Sequence, residues 1–449
     1  MSKHVVIVGG GLSGLAAGVD LVSRGIRVTI LEQKPALGGR AFSFKDSVTG
    51  DTIDNGQHVL IAGYERTMRF LEKIGTREML RVQRAPSLLF HHPQRGFQEF
   101  RLPLLPTPFN LLVGILRCHL FSFLDRLRLL RAGLSLRSVD EVKEKSLATM
   151  TILEWLKSAG QSDEVIRSLW EPLAVSMMNE RIHKASAHVF VQALRKAFLG
   201  GSRNAALAIP TVGLSELYVD GARRFITLRG GELRLNADAI EVMADDEHAT
   251  GVRLRDGTSV AGDAVILTIP PNKLLPLLPS RLIEQFSYLD SFEFTPIVSV
   301  HMWFTEEFMQ HEFVGLIGRR VQWLFNKRKI NDETGKGAHV SAVISGANEF
   351  VGMTKEELVN IAVEDIRSLY DGLQEEPRHA VVVREKSATY SSSPGIEAQR
   401  PSSRTGITNL FLAGDWVATG YPATIEGAIV SAERAAQLAV SSISSGIAQ

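Results

Sequence analysis

Four apolar residues, Val5-Val6-Ile7-Val8, lead directly into Gly9-x-Gly11-x-x-Gly14, and helical spacing follows at once. Few folds accommodate that order. A short continuous apolar run suits a parallel strand buried on both faces. The first glycine permits the turn, the second lets backbone approach a pyrophosphate, and the third packs helix on strand. The helix N-terminus then turns free amides and the positive end of its dipole toward phosphate. Leu12, Leu15, Ala16, Val19 and Val22 share the inner side of a helix over 12–23, Gly25 ends it, and Val28 to Leu31 is a second strand. Glu32 closes that strand 18 positions after Gly14, where a carboxylate bonds a ribose hydroxyl. The bland alternative is a glycine turn that serves packing alone. Flanking strands and an acidic partner favour a bound dinucleotide.

That motif does not separate NAD from FAD, so later residues decide. Gly38-Gly39-Arg40 follows Glu32 after a short loop. Two glycines allow close approach, and Arg40 can pair with phosphate, against the plainer reading of a solvated loop arginine. Near the other end, a strand at Leu410 to Ala413 runs into Gly414-Asp415-Trp416, and Thr424-Ile425-Glu426-Gly427-Ala428 opens the last helix. Amides at such a start can face a flavin's pyrimidine edge, where negative charge develops on reduction. An ordinary capped helix is the alternative there.

At 449 residues the chain exceeds what one core supports, so two domains are expected. Formal net charge is +1, so no global field draws it to nucleic acid or membrane, and no nucleic-acid partner is expected. Cys118 is alone, which excludes an intrachain disulfide and fits a reducing compartment. Neither a secretory segment nor a membrane span is read: Phe109 to Leu124 is short and interrupted by Arg117 and His119. No metal site is expected, and the expected location is cytoplasmic.

Residues 1–85, 205–285 and 400–449 predict one discontinuous Rossmann-like α/β domain for the cofactor. Residues 86–204 and 286–399 predict a mixed α+β substrate domain. Within it, about Pro86 to Arg203 is rich in Leu, Phe and Arg, is entered through Pro103, Pro106 and Pro108, and reads as a helical insertion. Strands are expected at Leu233 to Leu235, Ile240 to Met243, Gly251 to Leu254 and Ala264 to Ile269, with Asp256-Gly257 as a hairpin turn. Further strands are expected at Ile297 to Phe304, Val321 to Phe325 and Val340 to Ile344, and a long helix at Ala423 to Val440.

Together, Gly9 to Gly14, Glu32, Gly38-Gly39-Arg40, Ala413-Gly414-Asp415 and Glu426-Gly427-Ala428 resemble the amine oxidase and carotenoid desaturase superfamily of flavoproteins. Within it, Asp54-Asn55-Gly56-Gln57-His58, with Tyr64 and Leu71 to Gly75, is similar to the squalene-associated branch, the hydroxysqualene dehydroxylases of bacterial hopanoid synthesis. Trp170-Glu171-Pro172-Leu173 and Pro422-Ala423-Thr424-Ile425 agree with that branch. Two segments depart from it. Glu180-Arg181 follows Asn179 where the branch often has Thr-Pro, and Val417-Ala418-Thr419 follows Trp416 where it tends to have Thr-Asp-Thr. The resemblance implies an amine-oxidase-like fold. It implies FAD contacts at Gly9, Gly11, Leu12, Ser13, Gly14, Glu32, Gly39, Arg40, Gly56, Gln57, Ala239, Gly414, Asp415, Thr424 and Ile425.

It also implies a reductive dehydroxylation of hydroxysqualene to squalene, with hydride delivered to an allylic carbon and water lost. A hydroxyl leaves poorly unless protonated, so such a site needs an acid, a dry apolar cavity and the flavin held near the carbon. His58 is the candidate acid, or a polar group over the flavin, weighed evenly against a structural histidine bonded to backbone. Asp54 reads as a strand-end residue. The implied partners are a lipophilic isoprenoid and, by functional coupling, squalene-synthase-like enzymes. Phe109 to Leu136 mixes apolar residues with Arg117, Arg126, Arg128 and Arg131, followed by Arg137, against Asp125 alone. Such a helix pair suits the inner face of the cytoplasmic membrane; a helical lid with solvated arginines is the alternative. The rival activities are a carotenoid desaturase, which removes hydride, and an amine oxidase. A non-redox prenyl-lipid escort is the rival class, and it need not keep a flavin constellation.

Overall fold

The computed structural model describes residues 3–138, 141–245, 247–333 and 337–445. The strand His4–Val8 lies at the centre of a five-stranded, wholly parallel sheet. Arg27–Leu31 and Ala264–Leu267 flank it, and Glu232–Arg234 and Leu410–Leu412 form the edges. Stretches far apart in sequence therefore meet in one sheet. The period of two explains why these strands read as unbroken apolar runs. Val5, Ile7, Val28, Ile30, Ala264 and Ile266 share one core with the helices Leu12–Ser23 and Ile425–Ser445. Val6, Val8, Leu31, Val265, Leu267 and Leu410 share the other. That second core includes Val242, Val252 and Val260 of an antiparallel meander, Ala239–Ala244, Ala249–Leu254 and Ser259–Ala261. The two long helices are alanine-rich, with Ala16, Ala17, Ala432, Ala435 and Ala436 buried between them, which lets their axes approach.

A second sheet has seven strands, in the order His379–Tyr390, Phe294–Phe304, Ala338–Ser345, Trp323–Asn326, Phe313–Leu316, Ser87–His92 and Gly96–Arg101. Every pair is antiparallel except Phe313–Leu316 with Ser87–His92. One face, including Val298, Val300, Val340 and Ala342, packs under the helix Lys355–Arg367. The other face carries the buried polar residues Ser299, His301, His339 and Ser341.

The hairpin Ser87–His92 with Gly96–Arg101 departs from the helical reading of 86–203. Each strand is only six residues long, too short for period alone to separate strand from helix. Pairing with Phe313–Leu316, far along the chain, decides the matter. Helices begin at Phe109–Arg117 and continue through Phe123–Ser135, Glu171–Met178 and Ala187–Leu199. Among the described residues no helix is long and apolar enough to cross a membrane.

Candidate active site

Backbone builds the first part of the site. Gly9 takes φ +108° at the end of the first strand, and its amide bonds Leu31 O at 2.8 Å. A Cβ on Gly14 would stand 1.9 Å from Gly9 O, so the third glycine is required for the helix to sit against the turn. Thr268 Oγ1 holds the same turn through Val8 O and Gly9 O, both at 2.9 Å. Gly38 N bonds Gly10 O at 2.9 Å, which lays the Gly38-Gly39 turn beside the first. Gly39, at φ +62°, faces Gly11, and a Cβ there would stand 3.0 Å from Gly11 Cα. Among the described residues no side chain caps the helix that begins at Leu12. The result is a backbone-lined cradle open to an anion.

Glu32 is 6% exposed and accepts from Gly10 N at 2.7 Å and Lys34 N at 2.9 Å, so its carboxylate stands at the rim of that cradle. Ala237 N bonds Glu32 O at 2.9 Å, which brings the start of the Ala239–Ala244 strand to the same end.

The C-terminal motif arrives from the opposite side of the sequence. Ser13 Oγ bonds Ala428 O at 3.2 Å, so the starts of the first and last helices lie together. Gly414 N donates to Ser431 Oγ at 2.8 Å. Arg40 pairs with Asp415 at 2.6 Å and donates to Ala388 O at 2.8 Å, joining two motifs that the sequence separates by 375 positions. Thr424 Oγ1 accepts from Gly427 N at 3.1 Å and caps the last helix. Glu426, 1% exposed, bonds Arg66 N, Thr67 N and Thr67 Oγ1 at 2.7–3.0 Å. It therefore anchors the start of the helix Glu65–Ile74.

The Asp54–His58 segment borders the polar face of the large sheet. Asp54 ends the strand Thr52–Asp54 and accepts from Ser43 Oγ at 2.7 Å and Leu214 N at 3.0 Å. Its other oxygen meets Lys327 Nζ at 3.2 Å, and Lys327 also reaches Gln57 Oε1 at 3.1 Å. An added Cβ on Gly56 would meet nothing within 4 Å, so Gly56 faces open space. His58 Nδ1 lies 2.9 Å from Gly56 O and can only donate to it. Burial pushes the His58 imidazole below its ordinary pKa, against the pull of that carbonyl. Neutral His58 therefore presents Nε2 as an acceptor. Ser299 Oγ and Ser341 Oγ, buried on the facing sheet, have no partner among the described residues.

A cleft opens beside Thr424. Ile61, Met177, Ala193 and Pro422 make its apolar wall, with Tyr64 and Lys196 as polar members. Lys327 and Lys196 escaped the sequence reading because a lone lysine carries no local signal. Arg400 escaped likewise. Buried, it bonds the carbonyls of Asp415, Trp416, Val417 and Tyr421 and braces the loop before the last helix. Thr419, in one departing segment, accepts from the same guanidinium at 3.4 Å. The other departing segment is also tied down. Glu180 is buried and accepts from Thr295 Oγ1 at 2.8 Å and Ser391 Oγ at 2.6 Å.

The family model for flavin containing amine oxidoreductases matches residues 12–440. Hydroxysqualene dehydroxylase of Sinorhizobium fredii is 30% identical over 447 residues, covering 98% of this chain and 99% of that protein. Its counterpart from Zymomonas mobilis is 29% identical over 440 residues, covering 97% and 98%. A 15-cis-phytoene desaturase of Synechococcus elongatus is 24% identical over 459 residues, covering 97% and 95%. Among solved structures, an oxidoreductase from Methanosarcina mazei superposes with a TM-score of 0.75 at 18% identity, covering 96% of this chain and 99% of that one. At that identity the likeness is one of fold.

Proposed function

This chain belongs to the flavin-containing amine oxidoreductase family, and from that premise we propose that it removes the hydroxyl of hydroxysqualene to give squalene, with FAD as cofactor. Full-length similarity to two hydroxysqualene dehydroxylases carries the reading. The cleft beside Thr424 agrees with it at the scale of one functional group: its lining is mostly apolar and, among the described residues, includes no carboxylate.

The residues present fit an FAD. A side chain at Gly39 would crowd Gly11, and among the described residues no side chain caps the helix that begins at Leu12. On this reading the Gly9–Gly14 turn holds pyrophosphate, Glu32 a ribose, and Ala239 flanks the nucleoside end. Gly39, Arg40, Gly414 and Asp415 hold the linker between nucleotide and flavin. Thr424 and Ile425 turn helix amides to the pyrimidine edge, and Gly56 and Gln57 border the ring. When bound, reduced FAD supplies a hydride. His58 offers its Nε2 lone pair to a donor and so orients a partner rather than surrendering a proton. Lys327, through Asp54 and Gln57, fixes the segment that carries it.

The deciding experiment is anaerobic. Pre-reduced enzyme incubated with hydroxysqualene is expected to yield one equivalent of squalene. Unchanged hydroxysqualene, or a newly desaturated product, would sink the reading. Glu32→Ala is expected to weaken FAD by about 1.5–3 kcal/mol, one charge-assisted hydrogen bond, or roughly 10- to 150-fold in Kd. Titration of apoprotein measures this, and an unchanged Kd would remove Glu32 from the ribose site.

The same reading has the substrate arrive from a lipid surface. Leu104, Leu105, Phe109, Leu112, Leu116, Phe123, Leu124, Leu127 and Leu134 are all exposed, an apolar concentration on one helix pair and its approach. Exposed Arg117 and Arg131 accompany them, as does Arg128, paired with Asp125 at 2.9 Å. Arg126 is different. It donates to Leu116 O at 2.8 Å and Phe121 O at 3.1 Å and closes the end of the preceding helix. Phe123→Ser with Leu124→Ser is expected to weaken sedimentation with anionic vesicles roughly tenfold or more, since burying each side chain is worth about 1.5–3 kcal/mol. Arg128→Gln with Arg131→Gln should weaken it less, and high salt should act in the same direction. Full vesicle binding by the Ser pair would leave a lid.

A further inference from the structure

Lys196 stands in the cleft, and among the described residues no carboxylate lines it. The helix Ala187–Leu199 carries it opposite Thr424 and Tyr64. Its Nζ lies 3.3 Å from the centroid of the Tyr421 ring and donates to Gly420 O. A carbonyl and a π face stabilise a cation without neutralising it. Several other lysines meet a carboxylate: Lys184 pairs with Glu293, Lys157 with Asp163, and Lys327 with Asp54. The acids nearest Lys196 are already engaged. Glu426 is bonded to Arg66 N and to Thr67, and Glu397 pairs with Arg400.

We propose that the Lys196 ammonium binds the substrate's hydroxyl in this cleft and gives it the proton with which it leaves as water. The proposal rests on the dehydroxylation reading and deepens it. Three titratable groups line the cleft, Tyr64, Tyr421 and Lys196, and they differ in what they offer. Burial pushes the Tyr64 and Tyr421 phenols above their ordinary pKa, so they keep their protons. His58 is not part of this lining, and its Nδ1 is spent on Gly56 O. Lys196 is held down to about 8, first by burial, with Arg400 and Arg434 adding to it and Glu397 and Glu426 opposing. At neutral pH it is charged, yet it yields its proton more readily than an ordinary lysine.

The step balances. The allylic C–O bond would break, the hydroxyl would take the Lys196 proton and depart as water, and the carbon would gain the hydride that reduced FAD, when bound, supplies. Lysine would be left neutral and would recover its proton from solvent.

Two measurements test this. The first is single-turnover oxidation of pre-reduced enzyme by hydroxysqualene across pH. The parent rate is expected to fall above pH about 8. Lys196→Met, which keeps the aliphatic stem, should be about 10²–10⁴-fold slower and lack that limb, with flavin content unchanged. Lys196→Arg should stay slow, because a guanidinium keeps its proton. A Met variant within threefold of the parent, or an Arg variant at the parent rate, overturns the proposal. The second measurement needs no turnover. Oxidised parent should bind hydroxysqualene roughly tenfold tighter than squalene, the size of one charge-assisted hydrogen bond, and Lys196→Met should lose the preference. If the parent forms no squalene, the dehydroxylation reading fails, and this preference still decides whether Lys196 meets the hydroxyl. Equal binding of alcohol and hydrocarbon by the parent overturns it.

Discussion

A Gly11→Val variant is expected to fold and to purify without flavin. Gly11 has φ −74° and ψ −177°, extended backbone open to any residue. A Cβ there would meet only Gly39 Cα, at an ordinary 3.7 Å. The protein chain therefore tolerates a side chain at this point. What valine would fill is the space between the two glycine turns, where the pyrophosphate is proposed to lie against the amides of Leu12 and Ser13. Two lost charge-assisted hydrogen bonds amount to about 3–6 kcal/mol, or roughly 10²- to 10⁴-fold in affinity. The ratio of flavin to protein absorbance measures the loss. The melting temperature of flavin-free protein, compared with flavin-free parent, checks that folding is intact. Stoichiometric flavin in this variant would overturn the assignment of the cradle. Gly14→Ala makes an instructive contrast. Its Cβ would collide with Gly9 O at 1.9 Å, so that variant should fail in folding as well as in binding.

Lys327→Met is expected to cost about 3–5 kcal/mol of stability, because it breaks a buried ion pair by removing one partner. Lys327 is 3% exposed and Asp54 2%. Without the ammonium, the Asp54 carboxylate keeps Ser43 Oγ and Leu214 N but stands as an uncompensated buried charge. Gln57 Oε1 loses its donor too, so the segment leading to His58 loosens. The midpoint of urea unfolding should fall, with its slope little changed. Adding Asp54→Asn to Lys327→Met should restore part of the loss, since the stranded charge is then gone. A Lys327→Met protein within 1 kcal/mol of the parent, on the scale of a surface pair, would show that Lys327 does not hold this segment.

What the sequence determined by itself is the part of the protein whose causes are local. The strand at Val5 to Val8, the glycine turn, the helix from Leu12 and the carboxylate at Glu32 lie within one short span. Their geometry follows from backbone freedom at glycine and from burial on both faces of a strand. The long last helix and its capped start were legible for the same reason. A family resemblance extended that reading to Asp54 through His58, but it could not say what those side chains touch. Tertiary structure decided the partners. Lys327 reaches Asp54 across 273 positions, Arg40 reaches Asp415 across 375, and Lys196 reaches Gly420 across 224. A lysine or arginine reads the same in sequence whether it is solvated, paired or poised over an aromatic ring, because only the fold brings its neighbour. The hairpin at Ser87 to Arg101 shows the same limit for backbone. Its residues suit either helix or strand, and the edge offered by Phe313–Leu316 made the choice.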